Sequence, residues 1–244
     1  MNFDSVEGFS GWDFSYITET GRMASGLLSW SYGSRARILM NEASSMLDMG
    51  TGGGEFLSYL RPFPPSICAT EGYQPNVKIA KERLEPLGVK VKSFAEDTKM
   101  PFADQQFDLI LNKHESYSAK EVRRMLMNGG DFLTQQAGGT DCVEINQMLG
   151  VPLNADFADW DLNSAVAEIK ENHFDILFQQ EEKSPQRFYD IGALIYYLKA
   201  IPWQIPDFTI DKYQTSLNTI NQMILTKGYF EVLQHRFIIH ARAI

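Results

Sequence analysis

The chain has 244 residues, 44% hydrophobic and 22% charged, which suits one α/β domain with a sizeable core and does not suit disorder. Its 31 acids outweigh 22 basic residues for a net charge of −9, which disfavours a nucleic-acid partner, since such binding draws on Lys and Arg against phosphates. Cys68 and Cys142 form no CxxC pattern and read as inert thiols, the apolar run Ile191–Leu198 is too short to cross a bilayer, and Met1–Ser10 carries two acids and no base, unlike a secretory leader; a cytoplasmic protein is expected.

Residues 3–34 are rich in aromatics, Ser and Gly, and an N-terminal cap is expected over 1–44. A first strand is predicted at 45–49, then a glycine-rich turn and a helix over 54–60 that Pro62 stops. Ile67–Glu71 reads as a second strand, and Val77, Ala80, Leu84 and Leu87 mark a helix ended by Gly88. Val89–Phe94 alternates with period two, and its lysines suit an exposed edge strand. A strand at Phe107–Asn112 precedes a helix over 119–127 that buries Val122, Met125 and Leu126. The stretch 141–173 is expected to be partly helical, with a loop at Asn154–Trp160, and Phe174–Gln180 to be a strand. Ser184–Phe208 reads as an insertion holding a helix at Ile191–Lys199. Tyr213, Leu217, Ile220 and Ile224 trace a helix stopped by Gly228, and Phe230–Ala241 is the last strand.

The glycine turn narrows the ligand. Gly50, Gly52 and Gly54 allow sharp turns and close approach of a ligand. A dinucleotide fingerprint counted from Gly50 would need Gly or Ala where Glu55 stands, and a P-loop would need a Gly-Lys-Ser/Thr close, whereas Asp48–Leu60 holds no Lys or Arg. A loop with two carboxylates and no cation suits a positively charged ligand such as S-adenosylmethionine.

Asp48 followed by Gly50-x-Gly52-x-Gly54, with Glu71 ending the second strand 19 residues after Gly52, Phe94–Phe102 after the third, Phe107–Asn112 as the fourth and Met127–Leu133 as a Gly-Gly turn into the fifth, resembles the class I S-adenosylmethionine-dependent methyltransferases of the type 11 group. The resemblance covers about residues 45–136. It implies a three-layer α/β/α Rossmann-like sandwich with a seven-stranded, mostly parallel sheet, strand seven antiparallel, an N-terminal helical cap and an insertion between strands six and seven. The whole reads as a single domain over 1–244: a cap at 1–44, a cofactor half at 45–140 and a substrate half at 141–244 with the insertion 184–208.

In open α/β sheets ligands sit beyond the carboxyl ends of the strands, and that rule selects the candidate residues. Asp48 is assigned to the methionine end of the cofactor or else caps its turn, and Gly50, Thr51, Gly52 and Gly54 form the cradle. Glu71 is assigned to the ribose hydroxyls, with Gly72 and Tyr73 beside it, Tyr73 either stacking on adenine or covering a helix start. For the adenine amino group Glu96 and Asp97 compete. Asn112 ends strand four, and His114 and Glu115 after it are either the acid/base pair or, with Asn112, a hydrogen-bonded cap. Strand five delivers Gln135 and Gln136. Trp12, Tyr16, Trp30, Tyr32, Tyr196, Tyr197 and Trp203 either wall a pocket or pack the core; Arg22 and Arg187 either bind an acidic substrate or are solvated. His114, His173, His235 and His240 show no metal-ligand spacing, and His235 and His240 read as sheet-surface residues. The expected activity is methyl transfer from S-adenosylmethionine to a small molecule, with S-adenosylhomocysteine as product. Alternatives are a binding protein without turnover or, less favoured, an RNA or protein methyltransferase. The acceptor and oligomeric state are not legible in the sequence.

Overall fold

Strands buried on both faces read as near-continuous apolar runs, and three such runs lie in the parallel part of the sheet: Met46 and Leu47 with Met49 beyond Asp48, then Ile67, Cys68 and Ala69, then Leu109, Ile110 and Leu111. In chain order the computed structural model, which describes residues 14–244, has α1 (Ser15–Thr18), β1 (Met23–Ser25), α2 (Tyr32–Glu42), β2 (Ser45–Met49), α3 (Glu55–Tyr59), β3 (Ser66–Glu71), α4 (Gln74–Leu84) and β4 (Lys90–Ser93). It continues with β5 (Phe107–Lys113), α5 (Ala119–Met125), β6 (Leu126–Ala137), α6 (Val143–Leu149), α7 (Leu162–Glu171), β7 (Phe174–Phe188), α8 (Ile191–Ala200), α9 (Gln214–Lys227) and β8 (Phe230–Ala243). The sheet order is β1-β7-β8-β6-β5-β2-β3-β4. β4, β3, β2, β5 and β6 are mutually parallel, in a register that sets Asp48 between Ala69 and Leu111, and Asn112 beside Met49 and Thr134. β8 is antiparallel to β6, since Asp131 meets His240 while Gly138 bonds to His235.

Among the described residues the sheet has eight strands where seven are expected. β7 runs on to Phe188, past the predicted end at Gln180, and takes in the start of the supposed insertion. Ser184, Gln186 and Phe188 continue the alternation with buried side chains, and Pro185, which has no N–H to give, turns its carbonyl to the Gly26 N–H at 2.6 Å. The three-residue β1, inside the expected helical cap, pairs antiparallel with this extension. The Gly-Gly turn also falls inside a strand. Phe107 pairs with Leu126 but Leu109 with Asp131, so Met127–Gly130 bulges out of β6, Gly129 having φ +79°.

The chain divides into two compact units, and β7 and β8 run through both. One comprises the described residues through Leu28 with Gly138–Trp160 and Glu182–Arg236. Its core gathers Ile17, Ile145, Phe188, Leu217 and Ile220 about α8, a helix buried from Ala193 to Leu198. The other comprises Ser29–Ala137, Asp161–Glu181 and Phe237–Ile244 and carries the parallel strands. Among the described residues no helix is long and apolar enough to cross a membrane.

Candidate functional site

At the carboxyl end of β2 the chain turns through Gly50 (φ +66°) and Gly52 (φ +61°), and Thr51 N–H anchors the turn on the Thr70 carbonyl of β3 at 2.8 Å. A side chain at Gly50 would overlap Cβ, Cγ and Oε2 of Glu115, so a carboxylate from the segment after β5 lies directly on the loop. At Gly52 an added Cβ would meet nothing within 4 Å, leaving that side open to a ligand. Gly54 heads α3 and packs on Leu84.

Carboxylates converge here. Asp48 keeps a small exposed surface but is otherwise enclosed; burial pushes it from 3.8 to about 7, with Thr51 and Lys113 pulling it down and Glu71 pushing it up. Glu71 is 2% exposed. Burial raises it, opposed by the N–H groups of Tyr73, Gly52 and Gly72, and Tyr73 N–H donates to Oε1 at 2.8 Å. Glu115 is pushed up to about 7, first by burial and then by Glu71 and Asp97. Asp97 is thereby the member of the competing pair that acts on this cluster, whereas Glu96 is exposed and its carbonyl accepts the Lys99 N–H at 3.2 Å. Tyr73 stands at the start of α4, with its side chain 41% exposed.

Behind the carboxylates lies a buried amide network. Asn112 Oδ1 accepts from Thr134 Oγ1 at 2.9 Å and Gln136 Nε2 at 2.6 Å, and Gln136 Nε2 also reaches the Glu115 carbonyl at 3.0 Å. Asn112 therefore positions the segment that carries Glu115 from within the sheet. His114 is exposed, at φ +62°, and its N–H donates to the Gln135 carbonyl at 2.8 Å. Its Nε2 is 3.0 Å from Gln135 Nε2, and Gln135 Oε1 accepts from Trp30 Nε1 at 2.8 Å. Tyr32 is buried near enough to Asp48 for that charge to raise its phenol further, after desolvation, and Lys113 lies over the Phe56 ring at 4.5 Å. The roles of Trp30 and Gln135 as partners are missing from the sequence reading, because the β5–β6 register brings Gln135 to His114 and Trp30 reaches Gln135 from the segment before α2.

Several other expectations change. Arg22 is not isolated: its guanidinium grips Asp190 through two bonds of 2.8 and 2.6 Å, and Asp190 Oδ1 also caps α8 by accepting the Ala193 N–H. Arg187 pairs with Glu231 at 2.6 Å. His235 is buried and bonded to Thr140 Oγ1 at 2.8 Å, not a surface residue, because Gly138 lacks the Cβ that would strike its ring. Tyr196 and Tyr197 belong to the core around α8, Trp203 is 47% exposed, and Trp12 lies outside the described residues.

Residues 47–134 match a family model described as a methyltransferase domain. No curated protein sequence matches the chain. Among solved structures, the YcgJ protein from Bacillus subtilis is similar at 15% identity and a TM-score of 0.61, over 87% of this chain and 97% of that one. Geranyl diphosphate methyltransferase in complex with SAM is similar at 12% identity and a TM-score of 0.52, over 87% and 85%. The [4+2]-cyclase SpnF is similar at 15% identity and a TM-score of 0.57, over 94% and 92%. At such identities these likenesses are of fold.

Proposed function

We propose that this chain, whose residues 47–134 match a methyltransferase domain and whose fold is Rossmann-like, is a class I methyltransferase in which the carboxylates at Asp48, Glu71, Asp97 and Glu115 hold S-adenosylmethionine for methyl transfer to a small-molecule acceptor. The observation that carries the reading is the set of coupled carboxylates around a glycine loop open at Gly52. Such acceptors fit a ligand bearing two positive centres and two ribose hydroxyls, and they repel phosphates. Glu71 would take the ribose hydroxyls, Asp48 and Glu115 the cationic methionine end against Gly50, and Asp97 the adenine amino group. When bound, the cofactor supplies an activated methyl group on sulfur. The chain's own part is to orient an acceptor in line and, where that acceptor bears a proton, to take it up; Glu115, held near neutrality, is suited to that.

A second reading has one observation behind it, the likeness in fold to a [4+2]-cyclase: the same scaffold would bind the cofactor and serve another reaction or none. The acidic balance supports a small acceptor over RNA. Calorimetric titration with S-adenosylhomocysteine, with NADH in parallel, tests the cofactor. One-site binding to the former alone upholds it, and no binding overturns it. Methyl release across an acceptor panel then separates turnover from mere binding.

A further inference from the structure

The connection from β4 to β5 carries Asp97 and is fixed at both ends. At its start Ser93 pairs with Glu71, and the next residue, Phe94, lies on Gly72, where an added Cβ would meet its ring at 3.3 Å. At its end three consecutive carbonyls each accept from a cation: Met100 from Arg124 Nη2 at 3.3 Å, Pro101 from Lys92 Nζ at 2.9 Å and Phe102 from Arg124 Nη1 at 2.8 Å. Between the two ends lies a turn closed by the Lys99 N–H on the Glu96 carbonyl at 3.2 Å, with Asp97 inside it.

Arg124, near the end of α5, engages all five of its N–H donors in this clamp. Besides the two carbonyls, Nη1 donates to Asp104 Oδ1, and Nε and Nη2 donate to Glu121 Oε1 and Oε2, each at 2.8 Å. Glu121 Oε2 also accepts the Met100 N–H at 3.0 Å, so the Arg124–Glu121 pair holds Met100 by both of its backbone groups. A planar guanidinium can meet acceptors on several sides at once, whereas an ammonium, with three donors on one atom, cannot. The fold has a separate hold on the same region. The Arg124 and Met125 carbonyls accept the Gln105 and Gln106 N–H groups at 2.8 Å each, main-chain bonds that tie the entry of β5 to α5 whatever side chain stands at 124. We propose, resting on the reading that Asp97 takes the adenine amino group and Glu71 the ribose hydroxyls, that Arg124 is a positioning residue for the adenine end of the site: it fixes the returning end of the loop and thereby the place of Asp97 relative to Glu71. It acts through Asp97 and not on the ligand, since it has no donor left to offer one. Two acids that grip one rigid nucleoside must keep one separation, and a loop that drifts loses the bond to the amino group while Glu71, held in β3, keeps the ribose.

The test combines Arg124→Lys and Asp97→Ala with two ligands, S-adenosylhomocysteine and its deaminated analogue S-inosylhomocysteine, which carries an oxygen where adenine carries the amino group. In titration calorimetry Arg124→Lys should weaken S-adenosylhomocysteine by about tenfold, the loss of one hydrogen bond to a charged group, and the deaminated analogue by no more than about twofold. The variant with both substitutions should bind S-adenosylhomocysteine no more weakly than Asp97→Ala alone, because both remove the same contact. Equal losses for the two ligands, or additive losses in the double variant, overturn the proposal and make Arg124 a general brace. Brief trypsin digestion without ligand reads the clamp itself: Arg124→Lys and, separately, Glu121→Gln should be cut after Lys99 at least about tenfold faster than the unmodified protein, well below the melting of either, because Met100 on the far side of that bond is released. An unchanged rate at Lys99 also overturns the proposal. Should Arg124→Lys fail to fold, Glu121→Gln in the same titrations and digestion decides. If the unmodified protein binds no S-adenosylhomocysteine, the cofactor reading falls and takes this role of Arg124 with it; if it binds and the variant loses both ligands alike, the cofactor reading stands and the role of Arg124 alone falls.

Discussion

Asp48→Asn should stabilise the protein in a strongly pH-dependent way while weakening its ligand binding. The Asp48 carboxyl is raised from 3.8 to about 7, chiefly by burial, so between these values the folded chain holds a proton that the unfolded chain has released. Stability from this group is therefore fully present below about pH 4 and is lost as the pH rises through about 7. A rise of about 3 units, at about 1.36 kcal/mol each, makes ionised Asp48 cost the fold up to about 4 kcal/mol at alkaline pH, less what water at its small exposed surface returns. The opposing pulls of Lys113 and Thr51 are already within that figure. Asparagine has nearly the same shape and never ionises. At about pH 5 the variant and parent should melt within a few degrees of each other, and at about pH 8 the variant should melt on the order of 10 °C higher. Scanning calorimetry across that range reads the difference directly. A constant offset at every pH would show that Asp48 is not the buried carboxylate described here.

Three further outcomes follow from the same site. Binding of S-adenosylmethionine should release protons near neutrality, because a cation beside Asp48 and Glu115, both at about 7, favours their ionised forms; affinity should rise up to about tenfold per pH unit for each proton released and level off above that range, as read by calorimetry in buffers of different ionisation heat. Glu71→Gln should weaken S-adenosylhomocysteine binding by about 10- to 100-fold, the value of a lost charged hydrogen bond or two, with helical and strand content unchanged by circular dichroism; unaltered affinity would remove Glu71 from the site. Gly52→Ala should lower stability by only about 1 kcal/mol, the cost of a left-handed alanine, yet reduce binding at least tenfold, since the new methyl meets no protein atom and faces only the ligand. An equal loss of stability from a methyl packed against protein would contradict the open side of the loop.

The central strands were legible because burial on both faces leaves no polar residue to alternate, as in Leu109–Leu111, and because glycines punctuate the turns. β7 was legible only to its midpoint. From Glu181 to Arg187 its composition is polar and includes Pro185, and what keeps it extended is pairing with Met23–Ser25, more than 160 residues away in the chain. The acids of the site were visible one by one at strand ends, but their coupling was not. That Glu115 lies on Gly50, and that Asp97 rather than Glu96 acts on it, depends on register between β2 and β5 and on the path of the loop after β4. The Trp30–Gln135–His114 chain was hidden for the same reason, since no local pattern relates a tryptophan before α2 to a glutamine in β6.

The two ends of the sheet differ in how they meet solvent, and that bears on handling the protein at the concentrations that spectroscopy and calorimetry demand. Among the described residues β1 closes one end with three residues, too short to template a long foreign strand, and β4 closes the other with exposed Lys90 and Lys92 on either side of the buried Val91. A second molecule approaching β4 would have to bring its own Lys90 and Lys92 against the same pair of ammonium groups, so edge-to-edge assembly is opposed by charge at one end and by brevity at the other. Aggregation in this protein should accordingly begin from opened chains and not from the native sheet, and should track heating or denaturant more steeply than protein concentration.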